Sequence, residues 1–173
     1  ISLLVPWYLF FRKIGLVGAA VSDLPDIGKI CLAAAGRNLN VSFSSLRADA
    51  LTPELLSVLG ESRVKTATIA PDAGSSRMRA VINKGISEAQ ILDAVRRLVS
   101  GGVPNLKLYF MIGLPTETAE DLEAIIDLTK GIKHHVLKKS RGRKKMGTIT
   151  LSVNSFVPKP FTPFQWVAFG GIK

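Results

Sequence analysis

Thr66-Ala67-Thr68-Ile69-Ala70, Pro71-Asp72-Ala73-Gly74-Ser75-Ser76, Ser87-Glu88-Ala89-Gln90 ahead of Ile91-Leu92-Asp93-Ala94-Val95-Arg96-Arg97-Leu98-Val99, and then Gly101-Gly102 and Leu106-Lys107-Leu108-Tyr109-Phe110-Met111-Ile112 form the stretch on which the fold turns. Two apolar runs flank a helical pattern. The helix opens at a capping box, where Ser87 and Gln90 satisfy each other's free backbone donors, and closes at a glycine pair. That is one strand–helix–strand unit with parallel strands.

The same grammar extends in both directions. Further strands are expected at 14–20, 40–43 and 148–153, beside those at 66–70 and 106–112. Most read as nearly continuous apolar runs, the pattern of a parallel sheet covered on both faces. Ser22-Asp23-Leu24-Pro25 precedes a helix ending near Ala35, with Gly36 after it. Thr52-Pro53-Glu54 supplies a cap, a first-turn proline and an early acid before a helix closed by Gly60. Residues 116–120 open an acid-rich helix running to about Lys130. Strand and helix alternate throughout, so the class is α/β with a parallel sheet. Barrel and open doubly wound sheet both fit.

Length and composition bound the rest. The chain has 173 residues, 47% of them hydrophobic, enough for one packed domain over 1–173. Residues 1–11 are strongly apolar but fall short of the ~20 that a spanning helix needs, and the signals of a secretory leader are missing. A soluble cytoplasmic protein without membrane contact is expected. The lone Cys31 excludes an internal disulfide and any multi-cysteine metal site, and its apolar neighbours suit a small buried hydrophobe. The net charge is +10, and six of its lysines and arginines fall within 138–145. That tract, Lys138 to Lys145, is expected to be part of a flexible basic loop over 138–146. RNA phosphates are its functional alternative, with binding that weakens as salt rises. His134 and His135 are adjacent on a helix and point apart, a poor metal pair. The aromatic, proline-rich residues 154–173 are expected to cover one end of the sheet and shape a substrate pocket.

In either parallel architecture ligands bind where the strands end. The strand-end loops carry hydroxyls, carboxylates, glycines and arginines: Ser44-Ser45-Leu46-Arg47-Ala48-Asp49, Asp72 to Arg79, Gly113-Leu114-Pro115-Thr116-Glu117 and Asn154-Ser155-Phe156. Arg47, Arg77 or Arg79 is suited to hold a carboxylate. Asp72 can accept from an ammonium or a ribose hydroxyl, and Gly74 and Gly113 would let backbone approach a ligand. Asp23, Asp49, Ser75 and Thr116 also stand where helix caps belong. Gly15-Leu16-Val17-Gly18-Ala19-Ala20 is not a dinucleotide fingerprint, since its spacing is wrong and its glycines lie inside a strand.

Taken in order, Ser44 to Asp49, Ala70-Pro71-Asp72-Ala73-Gly74-Ser75-Ser76-Arg77-Met78-Arg79 through Ile82-Asn83-Lys84-Gly85, and Tyr109-Phe110-Met111-Ile112-Gly113-Leu114-Pro115-Thr116-Glu117-Thr118 resemble the successive strand-end motifs of radical S-adenosylmethionine (SAM) enzymes. The branch is that of methylthiotransferases and of proteins with an attached cobalamin-binding domain, and the likeness covers about 15–165. The resemblance implies a partial parallel (β/α) barrel, S-adenosylmethionine and a [4Fe–4S] cluster as cofactors, and radical hydrogen abstraction, methyl transfer or methylthio transfer. Carried over by position, Ser45, Arg47, Asp72, Ser75 and Lys84 would meet the methionine part and ribose. Ile112 and Gly113 would lie against adenine, with Asn154 and Phe156 closing its other side. Many relatives have Glu where this chain has Asp72, which shortens the reach.

The family's Cys-x3-Cys-x2-Cys motif is absent from these residues, and Cys31 cannot replace three thiolates. The chain begins at Ile1 without a methionine and breaks off at Gly170-Gly171-Ile172-Lys173 after an aromatic, proline-rich stretch, so both ends read as cuts in a longer polypeptide. The resemblance implies that the first strand and cluster loop lie upstream, and this piece is expected to be inactive by itself. The rest of that polypeptide, an unknown substrate and RNA are the expected partners, and a cobalamin domain is left open. The alternative is a non-catalytic nucleotide- or RNA-binding barrel.

Overall fold

The computed structural model describes residues 13–17, 21, 24–140 and 147–168. The apolar segment 1–11, the residues expected to end the first strand at 18–20, Ser22 and Asp23, and the basic residues 141–145 lie outside them.

Five parallel strands alternate with helices: β1 (Lys13–Leu16), α1 (Ile27–Ala35), β2 (Asn40–Phe43), α2 (Pro53–Glu61), β3 (Thr66–Asp72), α3 (Ser76–Val81), α4 (Glu88–Ser100), β4 (Asn105–Ile112), α5 (Ala119–Ser140) and β5 (Ile149–Ser155). A short 3-10 turn, Ala48–Ala50, follows β2. β1 pairs with β2, and β3, β4 and β5 pair in that order. A single parallel bridge, Leu46 to Ile69, joins the two groups, and the Leu46 amide donates to the Thr68 carbonyl at 2.8 Å. Spatial order thus follows chain order with no reversal. An open doubly wound sheet has a switch point where its order reverses, whereas barrel strands succeed one another. The architecture is part of a (β/α) barrel.

The helix starts follow local chemistry. The Thr52 hydroxyl accepts from the Leu55 amide with Pro53 in the first turn, and both halves of the Ser87–Gln90 capping box are formed. One element was not foreseen, and two expectations need correction. α3 was not foreseen, because six residues are too few to show a helical period. α5 runs to Ser140 rather than Lys130: Ile125, Leu128, Ile132 and Val136 carry its buried stripe onward beneath a lysine-rich outer face. Lys138 and Lys139 are therefore helical rather than part of a loop. α1, Ile27–Ala35 with Gly36 after it, ends where expected, and Asp26 gives it no side-chain cap.

The sheet is covered on one face among the described residues, not on two. Ala67, Ile69, Leu106, Leu108 and Phe110 are buried and join Ile91, Val95 and Leu98 of α4 and Leu128 and Ile132 of α5 in one core. Their alternates Thr68, Lys107, Tyr109 and Met111 stay half-exposed on the inner face. Cys31 is fully buried in that core, and burial pushes its thiol pKa up, away from reactive thiolate. Among the described residues no helix is long and apolar enough to cross a membrane.

Candidate functional site

The carboxyl ends of β2 to β5 enclose a cavity of about 840 Å³, within the usual range for small-molecule sites. Ser44, Ser45 and Arg47 enter from the loop after β2. Asp72, Asn83 and Lys84 come from the end of β3 and the turn after α3. Tyr109, Met111 and Leu114 come from β4 and its loop, and Asn154 and Phe156 from the end of β5.

Asp72 owes its place to an irregularity. β3 and β4 are in register up to Ile69 and Leu108, then slip so that Asp72 stands opposite Phe110. Pro71 sits inside the slip, where a residue with no amide hydrogen costs least. Asp72 itself has φ 64°, the left-handed region that Asp tolerates better than most residues. Its carboxylate accepts from Lys84 Nζ at 2.5 Å, with both side chains about one-fifth exposed. At the rim, Arg47 holds Asp49 through two bonds, Nε to Oδ1 at 3.0 Å and Nη2 to Oδ2 at 2.7 Å. That fork is the main reason the Asp49 carboxyl lies below its usual range.

The fifth side of the cavity is the segment after β5. The Phe156 amide donates to the Ile112 carbonyl at 2.7 Å, which fixes the segment to the end of β4. The Phe156 ring meets Phe164 edge-on at 6.0 Å. Val157, Lys159, Thr162 and Pro163 line the cavity with them. Phe161 and Trp166 of the same segment face solvent.

Six of the nine residues singled out from sequence come together here: Ser45, Arg47, Asp72, Lys84, Asn154 and Phe156. Ser75, Ile112 and Gly113 do not line the cavity. The Ser75 hydroxyl caps α3, accepting from the Met78 amide at 3.0 Å and donating to Asp121 Oδ1 at 2.5 Å. Ile112 falls on the helix side of β4, packed against the core, so that Met111, one residue earlier, faces the cavity. The Gly113 amide donates to Glu117 Oε2 at 2.6 Å.

Two of the three arginines considered for a carboxylate are engaged elsewhere. Arg77 pairs with Asp121 and donates to the Thr116 carbonyl. Arg79 is 1% exposed and donates to the carbonyls of Ile86, Ala73 and Gly74. Thr116 has φ 66° and is not a cap; Asp121 reaches back to the Thr118 amide at 2.9 Å in that role. Asp121 thereby receives Arg77, Ser75 and Thr118, and the Arg77 guanidinium above all holds its carboxyl far below the ordinary range. Gly74 faces α5, not a ligand: a Cβ there would collide with the backbone of Ala124 and Ile125.

Tyr109, Met111, Leu114 and Asn83 were missed. The alternation along β4 could have found the first two once Lys107 was assigned to the inner face. The donor set suits an adenosyl amino acid: carboxylate for hydroxyls or an ammonium, cations for a carboxylate, and an apolar wall at Met111, Leu114 and Phe156 for a ring. It does not suit an iron–sulfur cluster. Among the described residues no three His, Cys, Asp or Glu side chains group as metal ligands.

A model of the radical SAM superfamily matches residues 7–129. An uncharacterised protein of Methanocaldococcus jannaschii is 40% identical over 154 residues, covering 89% of this chain and 32% of its own length. The chain thus spans about a third of that curated relative. A tRNA-2-methylthio-N(6)-dimethylallyladenosine synthase of Desulforamulus reducens is 33% identical over 64 residues, 36% of this chain and 14% of that one. Among solved structures, coproporphyrinogen III oxidase of Escherichia coli, described as a radical SAM enzyme, superposes with TM-score 0.64 at 11% identity over 86% of this chain and 32% of its own. That likeness bears on fold alone.

Proposed function

The chain belongs to the radical SAM superfamily, and from that premise we propose that its cavity is the S-adenosylmethionine-binding part of a radical SAM enzyme. The observation that carries the proposal is the convergence of Ser45, Arg47, Asp72, Lys84, Asn154 and Phe156, from the ends of β2, β3 and β5, on one cavity. Bound there, S-adenosylmethionine would supply a 5′-deoxyadenosyl radical on one-electron reduction by an iron–sulfur cluster, or a methyl group by transfer from its sulfonium to a nucleophile.

This chain's residues bind and orient. Asp72, held by Lys84, would accept hydrogen bonds from the cofactor's hydroxyls, and Lys84 would present its remaining donors to the cofactor's carboxylate. Arg47 and Ser45 add donors at the rim, and Met111, Leu114 and Phe156 give the adenine an apolar seat. One cysteine in 173 residues cannot ligate the cluster, so its ligands are assigned to sequence beyond these residues, and the segment alone should do no radical chemistry. Hydrogen abstraction, methyl transfer and methylthio transfer are all compatible with this cavity. Cobalamin forms no part of the proposal.

The test is calorimetric titration of S-adenosylmethionine into the complete polypeptide, anaerobically, with Asp72→Asn and Lys84→Gln. Each is expected to weaken binding by about tenfold, which corresponds to ~1.4 kcal/mol. Wild-type affinity in both variants would mean the cofactor lies elsewhere.

A further inference from the structure

Below the cavity the inner face of the sheet is built unlike an ordinary barrel core. Barrel interiors are filled by layers of Val, Ile and Leu. Here Thr68, Lys107 and Thr150 stand in register on three adjacent strands, and Tyr109 and Ser152 form the next level. On this face Thr150 is exposed and Thr68, Lys107 and Ser152 are half-exposed, so their polar groups are open to partners from outside the chain. Lys107 has no internal partner of the usual kind: among the described residues no carboxylate pairs with it. Its Nζ lies 4.9 Å over the Tyr109 ring, and Tyr109 lines the cavity above. Asp72 on the same side is already taken by Lys84.

A cation flanked by hydroxyls, with no carboxylate paired to it among the described residues, is a receiver for anionic oxygen. Neighbouring strands are ~4.8 Å apart and residues two apart along a strand ~6.6 Å. Thr68 and Thr150 therefore flank Lys107 at ~4.8 Å on either side, one level beneath the cavity wall. We propose that this inner face is a second binding level, taking an anionic group of the substrate, with Lys107 as its countercharge and Thr68, Thr150 and Ser152 as hydroxyl donors. The proposal rests on the reading that the cavity above takes S-adenosylmethionine, which places the substrate next to it.

The experiment is lysine footprinting of the complete polypeptide with dilute acetic anhydride, each lysine followed by peptide mass spectrometry. The probes are inorganic phosphate, malonate and, separately, S-adenosylmethionine. One of the two anions is expected to slow acetylation of Lys107 by about tenfold at ten times its dissociation constant, by simple occupancy, while exposed Lys29 and Lys133 keep their rates. Which anion does so tells phosphate from carboxylate. No protection of Lys107 by either anion, equal slowing of all lysines, or protection of Lys107 by S-adenosylmethionine alone would each overturn the proposal. Lys84 reports separately: if S-adenosylmethionine leaves Lys84 unprotected, the cofactor reading fails whatever Lys107 does.

Discussion

Replacing Arg79 by Met should cost this chain about 3 kcal/mol of stability, from loss of three hydrogen bonds to a charged donor less the relief of a buried charge. Arg79 is 1% exposed, and its guanidinium ties together the two ends of the segment that carries α3: Nε to the Ile86 carbonyl at 3.0 Å, Nη1 to Ala73 at 3.2 Å and to Gly74 at 2.6 Å. Met keeps most of the apolar stem and removes every donor. Hydrogen bonds to charged groups contribute about 1.5–3 kcal/mol each, so three give roughly 6 in gross terms. Two opposing effects reduce that figure. Burial disfavours the charged form, which is why the Arg79 pKa is lowered, and Nη2 is buried with no hydrogen-bond partner among the described residues, so its desolvation is not recovered. In urea, with a slope of ~2 kcal/mol per molar for a chain of this size, the midpoint should fall by about 1.5 M. Arg79→Lys should recover about half, since an ammonium cannot span both ends of the segment as the planar fork does. A Met variant within ~0.3 M of wild type, or full recovery by Lys, would refute the account. S-adenosylmethionine binding should weaken in step, because the Lys84 amide donates to the Arg79 carbonyl at 2.8 Å and the cavity wall is built on that turn.

Gly74→Ala should destabilise by about 2 kcal/mol or more, as overpacking against a backbone that cannot step aside; Gly113→Ala, at φ 78° with open space around its Cβ, should cost only ~1 kcal/mol. Thermal melts of the pair would test that order, and an equal loss in both would show that the contact with α5 is not the cause. The Asp121 carboxyl is held far below the range of an unfolded aspartate. Its contribution to stability is therefore full above the unfolded value near 4 and falls away as pH drops from there toward the folded value. Asp121→Asn should flatten the acid limb of the stability profile below pH ~4; a parallel limb in the variant would place the acid sensitivity on other carboxylates.

The fold was legible because each unit carries its own punctuation. The Ser87–Gln90 box, Thr52 with Pro53, and the apolar runs of β3 and β4 are all local, and the structure reproduces them. Which of the two parallel architectures they build is not local: it depends on the order in which strands lie side by side. The fates of the arginines were hidden for the same reason. Arg47, Arg77 and Arg79 look alike in a strand-end loop. Their partners are an aspartate two residues away, an aspartate 44 residues away and three backbone carbonyls. A basic residue in a loop announces a charge; it does not announce whether that charge is spent inside the protein.

Asp72 shows how a site residue is aimed by backbone rather than by its own chemistry. Standing opposite Phe110, which faces the helices, it would share that face in a regular ladder. The extra residue in β3 and the left-handed φ of Asp72 bring the carboxylate to the cavity and to Lys84 instead. The left-handed conformation favours Asp, Asn and Gly over longer side chains. Asn at this position can therefore keep the backbone while losing the charge, whereas Glu would add reach against a conformation it adopts less readily. If the cofactor reading is right, Asp72→Asn should lose affinity with an unchanged melting temperature, while Asp72→Glu should lose stability as well. A Glu variant as stable as wild type would mean that the bulge, and not the side chain, selects the left-handed backbone.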